Sequence, residues 1–454
     1  MRWSMILVLL AAAMWACPAF AQDIQDEWDD KALEEAIKRA VEYLWSQCAN
    51  GSWDGGGAAR NGNAGGRSAL CTYALLAAGA DPQDPRIIAA LQYLAGVEMT
   101  GTYARALRAN VWSMLKGRKH KFRRILRRDV NYLVKGADAR GGYNYIPVGR
   151  RASGSERRGA NLGRYDNSNS QLGVLGVWAG SENGVEVPMS YWRLIERHWV
   201  QDQQRDGGWC YQQTGTSYGS MSVAGLATMF ICFDALYQDK FIRCRAKTDY
   251  TPIVKGLEWL DKNFSATTNP GRGRAHYYYY LYGVERVGLA SGYKYFGQKD
   301  WYKMGATALV HQQRGDGSWG GIVNTSFGLL FLARGRHPIL FNKLNYPGTW
   351  NSRPRDCANL TRWVTRKFER PVNWQIVHLG APVRDLHDAP ILYISGASAP
   401  RFTDEDVAKL REFVLQGGVL FSEAACNKAS FTLAMKKIYA KMFPAYELKR
   451  LPLD

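Results

Sequence analysis

Cysteine is scarce here and poorly placed for cross-linking, with eight in 454 residues, at 17, 48, 71, 210, 232, 244, 357 and 426. No CxxC pair or zinc-finger spacing occurs among them, so neither a thiol redox pair nor a cysteine-held metal is expected, and no cofactor is implied. Long apolar runs are also missing. After residue 21 no stretch approaches the ~20 uninterrupted apolar residues of a membrane helix, so the chain is not expected to be transmembrane. The exception is at the start, where Arg2 precedes ILVLLAAAMWA and small residues follow at Ala19 and Ala21. That order predicts a secretory signal peptide over 1–21, cleaved before Gln22. An exported, periplasmic protein is expected, with secretion or a lipid anchor through Cys17 as alternatives. The seven cysteines that remain are an odd, scattered set and do not read as a disulfide framework.

Acidic residues are outnumbered, with 59 Lys and Arg against 40 Asp and Glu. The excess is concentrated in KGRKHKFRRILRRD, residues 116–129, and in Arg150, Arg151, Arg157, Arg158 and Arg164. Such a patch attracts polyanions. For an exported chain that excludes nucleic acid and leaves an anionic envelope component as the partner of 116–128. The plainer reading is a solvated helix face, because Arg123/Arg127 and Arg124/Arg128 recur at i,i+4.

From about 28 to 335 two kinds of helical segment alternate. One kind is amphipathic and charged, as in DDKALEEAIKRAVEYLWSQ and MSYWRLIERHWVQDQQ. The other is apolar almost all round, as in SNSQLGVLGVWAG and YGSMSVAGLATMFICFDAL. A helix apolar on every side is buried on every side. The strict alternation predicts about six outer–inner hairpins of ~50 residues, stacked and closed into a ring. The fold expected is mainly α, an α/α toroid.

A phrase repeats between outer and inner segments: Gln47, Gly51, Trp53; Gln203, Gly207, Trp209; Gln313, Gly317, Trp319. Glycine supplies the positive φ that ends a helix, glutamine can bond orphaned helix-end groups, and tryptophan covers the junction. Repetition once per hairpin suits a structural joint better than a binding residue. ARGGYNY, 139–145, is a degenerate fourth copy with Tyr143 in place of Trp.

These spacings resemble the repeat of squalene–hopene cyclases and prenyltransferase β subunits, over about 300 residues. The resemblance implies the toroid; activity does not follow from it, because one fold hosts many functions. The Asp-x-Asp-Asp motif that protonates alkenes in such cyclases is missing, since DEWDD at 26–30 has the wrong spacing. The zinc site of protein prenyltransferases has only Cys232, Asp234 and His276 as counterparts, and these are expected at opposite rims.

What remains is a polar, aromatic rim where the inner-helix N-termini gather. Asp166, Asn169, Gln171, Tyr218, His276, Tyr277, Tyr280 and Asn324 are the candidate ligand contacts there. Helix capping by Asp166 and Ser168, and simple packing of the tyrosines, are the structural alternatives. Four successive tyrosines, 277–280, must turn at least one ring to the lumen.

After residue 345 the pattern changes. NWQIVHL, APILYISG and VLFSEAAC read as strands, with a helix capped by Thr403 and a second helix FTLAMKKIYAKMF. A small parallel α/β sheet in three layers is expected. It resembles the uncharacterised glutamine-amidotransferase-like domain joined to toroids of this kind. Cys426 falls near the place of the nucleophile of such enzymes, but no histidine follows His387 to activate it. It is read as a buried structural cysteine.

The organisation expected is thus a leader, 1–21; a toroid, 22–345; a linker, 346–371; and an α/β domain, 372–454, small or incomplete. The function expected is binding of an apolar or amphipathic ligand, a lipid for example, or a protein partner, without cyclase or prenyltransferase chemistry. The alternatives are an isoprenoid-modifying enzyme, or a polysaccharide-acting enzyme that would use Asp166, Asp206, Asp316 or Arg108.

Overall fold

The computed structural model describes residues 29–55, 63–115, 119–146, 165–242 and 250–450. The expected leader, and Arg150, Arg151, Arg157, Arg158 and Arg164 of the basic segment, lie outside the described residues.

Among the described residues of the toroid twelve helices alternate as the two sequence patterns require. The outer helices are α1 (Asp30–Ser46), α3 (Pro85–Gly96), α5 (Lys119–Gly136), α7 (Met189–Asp202), α9 (Thr251–Asn263) and α11 (Trp301–Gln312). The inner ones are α2 (Gly66–Ala77), α4 (Thr102–Met114), α6 (Asn167–Ser181), α8 (Gly219–Ile242), α10 (Tyr277–Ser291) and α12 (Ile322–Gly335). Burial separates the two kinds. In α1 only Leu33, Ala36, Ala40 and Leu44 are buried, one stripe of an amphipathic helix. In α12 every residue from Thr325 to Ala333 is buried. Each inner helix packs on the next, from α2 through α4, α6, α8 and α10 to α12, and α12 returns to α2. The ring is closed, so the chain is an α/α toroid. Among the described residues one helix, α8, is long and apolar enough to cross a membrane over Gly219–Gln238, but 83 % of that stretch is buried inside the protein.

The repeated joints have a common construction. The indole Nε1 of Trp53, Trp209 and Trp319 donates to Leu44 O (2.6 Å), Trp199 O (2.8 Å) and Leu309 O (2.8 Å). Each acceptor is a carbonyl in the last turn of the preceding outer helix, where carbonyls lack their i+4 partner. In the fourth copy the Tyr143 hydroxyl does the same to Leu133 O at 2.9 Å. The glutamine works differently from the expectation. Gln203 bonds Gly207 O inside its joint and Pro252 O at the start of α9. Gln313 bonds Gly317 O and Ala36 O of α1, which closes the outer layer. Gln47 reaches only Ser46. Gly207 and Gly317 have φ of 91° and 82°, and a Cβ there would lie 2.4 and 2.5 Å from Lys255 O and Arg39 O of the neighbouring outer helix. No side chain fits at either glycine.

The joints also use an inner-helix signal that the sequence reading missed. The backbone N–H of Trp53, Tyr143, Trp209 and Trp319 donates to Ser68, Ser170, Ser222 and Thr325. Three residues after the last three acceptors come Gly173, Gly225 and Gly328, where a Cβ would strike Tyr143, Trp209 and Trp319. Ser/Thr-x-x-Gly is therefore the receiving half of the motif.

The second module is a four-stranded parallel sheet in the order β4-β3-β5-β6, with β3 Ile339–Asn345, β4 Asn373–His378, β5 Ile391–Gly396 and β6 Val419–Ala424. A short hairpin, β1 Tyr295–Phe296 and β2 Lys299–Asp300, precedes α11 in the toroid. Three strands coincide with those read from sequence. The fourth, β3, falls inside the span assigned to the toroid yet lies within the sheet, paired on both sides. Helix α13, Asp356–Phe368, occupies the expected linker 346–371. Short α14 (Val383–Leu386), α15 (Asp404–Leu415) and α16 (Ala429–Met442) complete it. Thr403 caps α15 in a reciprocal capping box with Asp406, as its sequence predicts. The described residues 446–450 form no further strand.

Candidate ligand-binding site

Contacts between inner helices that are not ring neighbours identify what faces the axis. The Tyr279 hydroxyl of α10 donates to Gln171 Oε1 of α6, across α8 in the ring order. Two turns further along the same helices, the Arg286 guanidinium lies 5.5 Å from the Trp178 ring centroid. Helical periodicity connects these layers, since Ser168, Gln171 and Trp178 recur at steps of three and seven, and Tyr279, Tyr282 and Arg286 at steps of three and four, along one face. Ser168 bonds the Tyr103 hydroxyl of α4, and Phe327 of α12 lies 5.6 and 5.3 Å from Tyr279 and Tyr282. Tyr103, Trp178 and Tyr279 on these faces are half-buried rather than fully buried. The axial contacts are thus aromatic, with Gln171 at one level and Arg286 two turns away.

Several polar atoms on this axis have no partner. Gln171 Nε2, Arg286 Nη2 and Glu285 Oε2 are buried and unbonded. Unpaired buried polar atoms are costly, and a cluster of them marks a place for water or a ligand. Glu285 Oε1 takes Arg334 at 2.9 Å, and Arg334 also reaches the Tyr73 hydroxyl.

The second module covers the end where the inner helices finish. Arg355 and Arg362 reach from α13 to Asp234 of α8 at 2.7 and 3.0 Å, and Arg366 reaches Glu182 at 2.7 Å. Burial pushes the Asp234 carboxyl up, but the two guanidinium groups outweigh it and hold the pKa below the ordinary carboxylate value. Beside them β4 extends over the loop after α10: Ile376 N donates to Gly292 O at 2.6 Å and Trp374 lies against Gly292. Because the folded pKa of Asp234 is depressed, this clamp is fully formed above the unfolded carboxyl pKa and weakens as pH falls through the folded one. Asp234→Asn should cost on the order of 3 kcal/mol by leaving Arg355 half-served in a buried place. Melts followed at acid and neutral pH should show the variant losing the acid sensitivity of the wild type; equal sensitivity in both would refute the clamp.

The residues chosen from sequence divide. Gln171 is on the axis. Asp166 caps α6 through Asn169 N (2.8 Å) and Asn169 Nδ2 (2.7 Å), and burial raises its pKa. Asn169 is thereby turned to its cap, with Oδ1 unpartnered. Tyr277 donates to Ala266 O and Tyr280 accepts from Ser265 N, so both brace the loop before α10. Tyr279, not named among the candidates, is the one of the four successive tyrosines that bonds Gln171 of α6. His276 is exposed at the α10 N-cap, and Asn324 is half-buried beside Gly320 O. Tyr218 lies under Arg272, 4.3 Å from its ring centroid.

The residues weighed for sugar chemistry are occupied elsewhere. Arg108 is fully buried against Asp129, away from the axis. Asp206 holds Ser217 and Trp259, and Asp316 caps its own turn at Ser318. Asp234, weighed as a metal ligand, is held by arginines. The described part of the basic segment lines an outer cleft of about 770 Å³ between α3 and α5, with Arg124, Arg127, Arg128 and Lys135. Cys426 is half-buried rather than buried, sits in a left-handed turn after β6 (φ 54°), and is disulfide-bonded. A disulfide sulfur is no thiolate nucleophile.

A family model described as a domain of unknown function, DUF4159, matches residues 340–454. Its start coincides with β3. No curated protein matches the chain. Among solved structures, variants of the type II terpene cyclase MstE from Scytonema are similar. One, in complex with its substrate geranylgeranyl dihydroxybenzoate, has TM-score 0.43 and 12 % identity, over 67 % of this chain and 97 % of that one. The free form of another has TM-score 0.44, and a third, with the product merosterolic acid A, has 0.42, each at 12 % identity and the same coverage. The toroid is established by the closed ring of contacts in this chain itself.

Proposed function

We propose that the toroid retains an apolar or amphipathic molecule in its lumen and does not transform it. The observation that carries this reading is the set of aromatic rings around the axis, Trp178, Tyr279, Tyr282 and Phe327, interrupted by polar atoms that lack partners. Concave, largely apolar sites with a few convergent polar groups are where small molecules are held. Carbocation chemistry is disfavoured by the same arrangement. Rings stabilise a passing cation through their faces, but Trp178 and Tyr282 already face the fixed positive charge of Arg286. Export to the periplasm, and docking of an anionic envelope component on the outer cleft at Arg124, Arg127 and Arg128, are parts of the same proposal.

Retinol, an uncharged amphipathic polyene whose emission rises in apolar surroundings, tests it. Saturable binding at one molecule per chain is expected, weakened about tenfold or more by Gln171→Trp, which fills the axis. Absence of saturable binding, or an equal affinity in the filled variant, would move the ligand out of the lumen.

A further inference from the structure

Resting on the lumen reading, we infer that Arg286 receives the anionic end of the bound molecule, a carboxylate or comparable oxyanion. Its apolar body then runs from Trp178 past Tyr282 and Phe327 toward Tyr279.

The argument starts from how this protein treats its other buried guanidinium groups. Arg105 and Arg108 share Asp129 at 2.7 Å each, Arg334 takes Glu285 at 2.9 Å, and Arg355 takes Asp234 at 2.7 Å. Arg286 is only 6 % exposed. Its contacts are the Tyr282 hydroxyl, at a long 3.3 Å, and the rings of Trp178 and Tyr282 at 5.5 and 5.4 Å. Nη2 has no partner. The carboxylate next to it in sequence, Glu285, is turned to Arg334 on α12. The charge of Glu285 acts on Arg286 without a hydrogen bond between them, and a buried cation that no carboxylate binds directly is incompletely compensated by ring faces. An oxyanion would supply the missing charge-assisted hydrogen bond.

The position agrees with an end-group site. Arg286 lies seven residues beyond Tyr279 on α10, about 10 Å at 1.5 Å per residue. Beyond it the second module lies against the same end of the ring, where Arg355 and Arg362 are paired with Asp234 and Arg366 with Glu182. The sequence reading expected the polar end of the ligand at the opposite rim, near Asp166 and His276. Asp166 is committed to its cap and His276 is exposed. The unpaired charge is at the covered end.

Retinoic acid and retinol differ at one end group, and their affinities separate this inference from the reading beneath it. The wild type should bind the acid about ten- to a hundredfold more tightly than the alcohol. Arg286→Met should bring that ratio close to one, and Arg286→Lys should keep part of it; circular dichroism checks that both variants fold. If Arg286→Met does not fold, the wild-type ratio together with Arg286→Lys decides. Equal binding of acid and alcohol by the wild type would overturn the inference and leave the lumen reading standing. An acid preference that survives in folded Arg286→Met would place the anion elsewhere and also overturn it. Binding of neither probe would remove the lumen reading, and the inference with it.

Discussion

Trp209→Ala is expected to destabilise the protein by about 3–5 kcal/mol, the cost of truncating a large buried aromatic. Trp209 is fully buried, and three independent contacts end with it. Its indole N–H is the partner of Trp199 O at the end of α7. Its ring fills the space that Gly225 and Gly256 leave on α8 and α9. Its backbone N–H is held by Ser222. Alanine keeps the last contact and loses the others, leaving a cavity where two outer helices and one inner helix meet. Trp319→Ala should behave alike, because Trp319 makes the same bonds to Leu309 O and Thr325. Trp363, 57 % exposed, is the control, and Trp363→Ala should stay within about 0.5 kcal/mol of wild type. Denaturant unfolding of the three variants checks this. Values for Trp209→Ala and Trp319→Ala no larger than the control would contradict the structural role of the joints.

Asp129→Ala should cost a similar amount, about 3–5 kcal/mol, by another mechanism. Asp129 is fully buried and accepts from Arg105 Nη1 at 2.7 Å and from Arg108 Nη2 and Nε at 2.7 and 2.8 Å. Arg108 in turn bonds Leu94 O and Val97 O, at and just past the end of α3. One carboxylate on α5 therefore organises α3, α4 and α5. Removing it strands two buried cations, whereas Asp129→Asn keeps the shape and part of the hydrogen bonding, and should cost less. Urea midpoints of the two variants should fall in that order. The reverse order would show that shape, not charge, is what α5 supplies there.

The ring was legible because burial on all sides and burial on one side leave different sequence patterns, and the patterns alternate strictly. SNSQLGVLGVWAG has no polar face to present to water. The joints were legible because they repeat, but their receiving residues were not: Ser222 and Gly225 look like ordinary helix residues until the Trp209 ring is placed over them. The β3 strand escaped notice because Lys343 interrupts its apolar run. In the fold that lysine is buried and bound to Asn351, Arg353 O and Asp356. Helix α13 escaped because its basic, proline-flanked sequence reads as a linker.

The site was the least legible part. The rim candidates were chosen by their place near helix starts, where capping competes for the same residue types, and capping holds Asp166 and Asn169. The available signal was elsewhere. Glu285, Arg286 and Arg334 are charges on helices that are otherwise apolar all round, and a charge there must have a partner inside the ring. Two of the three pair with each other. The third does not.

The central claim is that the lumen holds a molecule and leaves it unchanged. Organic extraction of the protein from the cells that make it, followed by mass spectrometry of the extract, tests that most directly. The prediction is a near-stoichiometric amphipathic species with an intact, uncyclised skeleton, depleted in protein carrying Gln171→Trp. An empty extract, or a cyclised or prenylated product in place of the intact species, would contradict it.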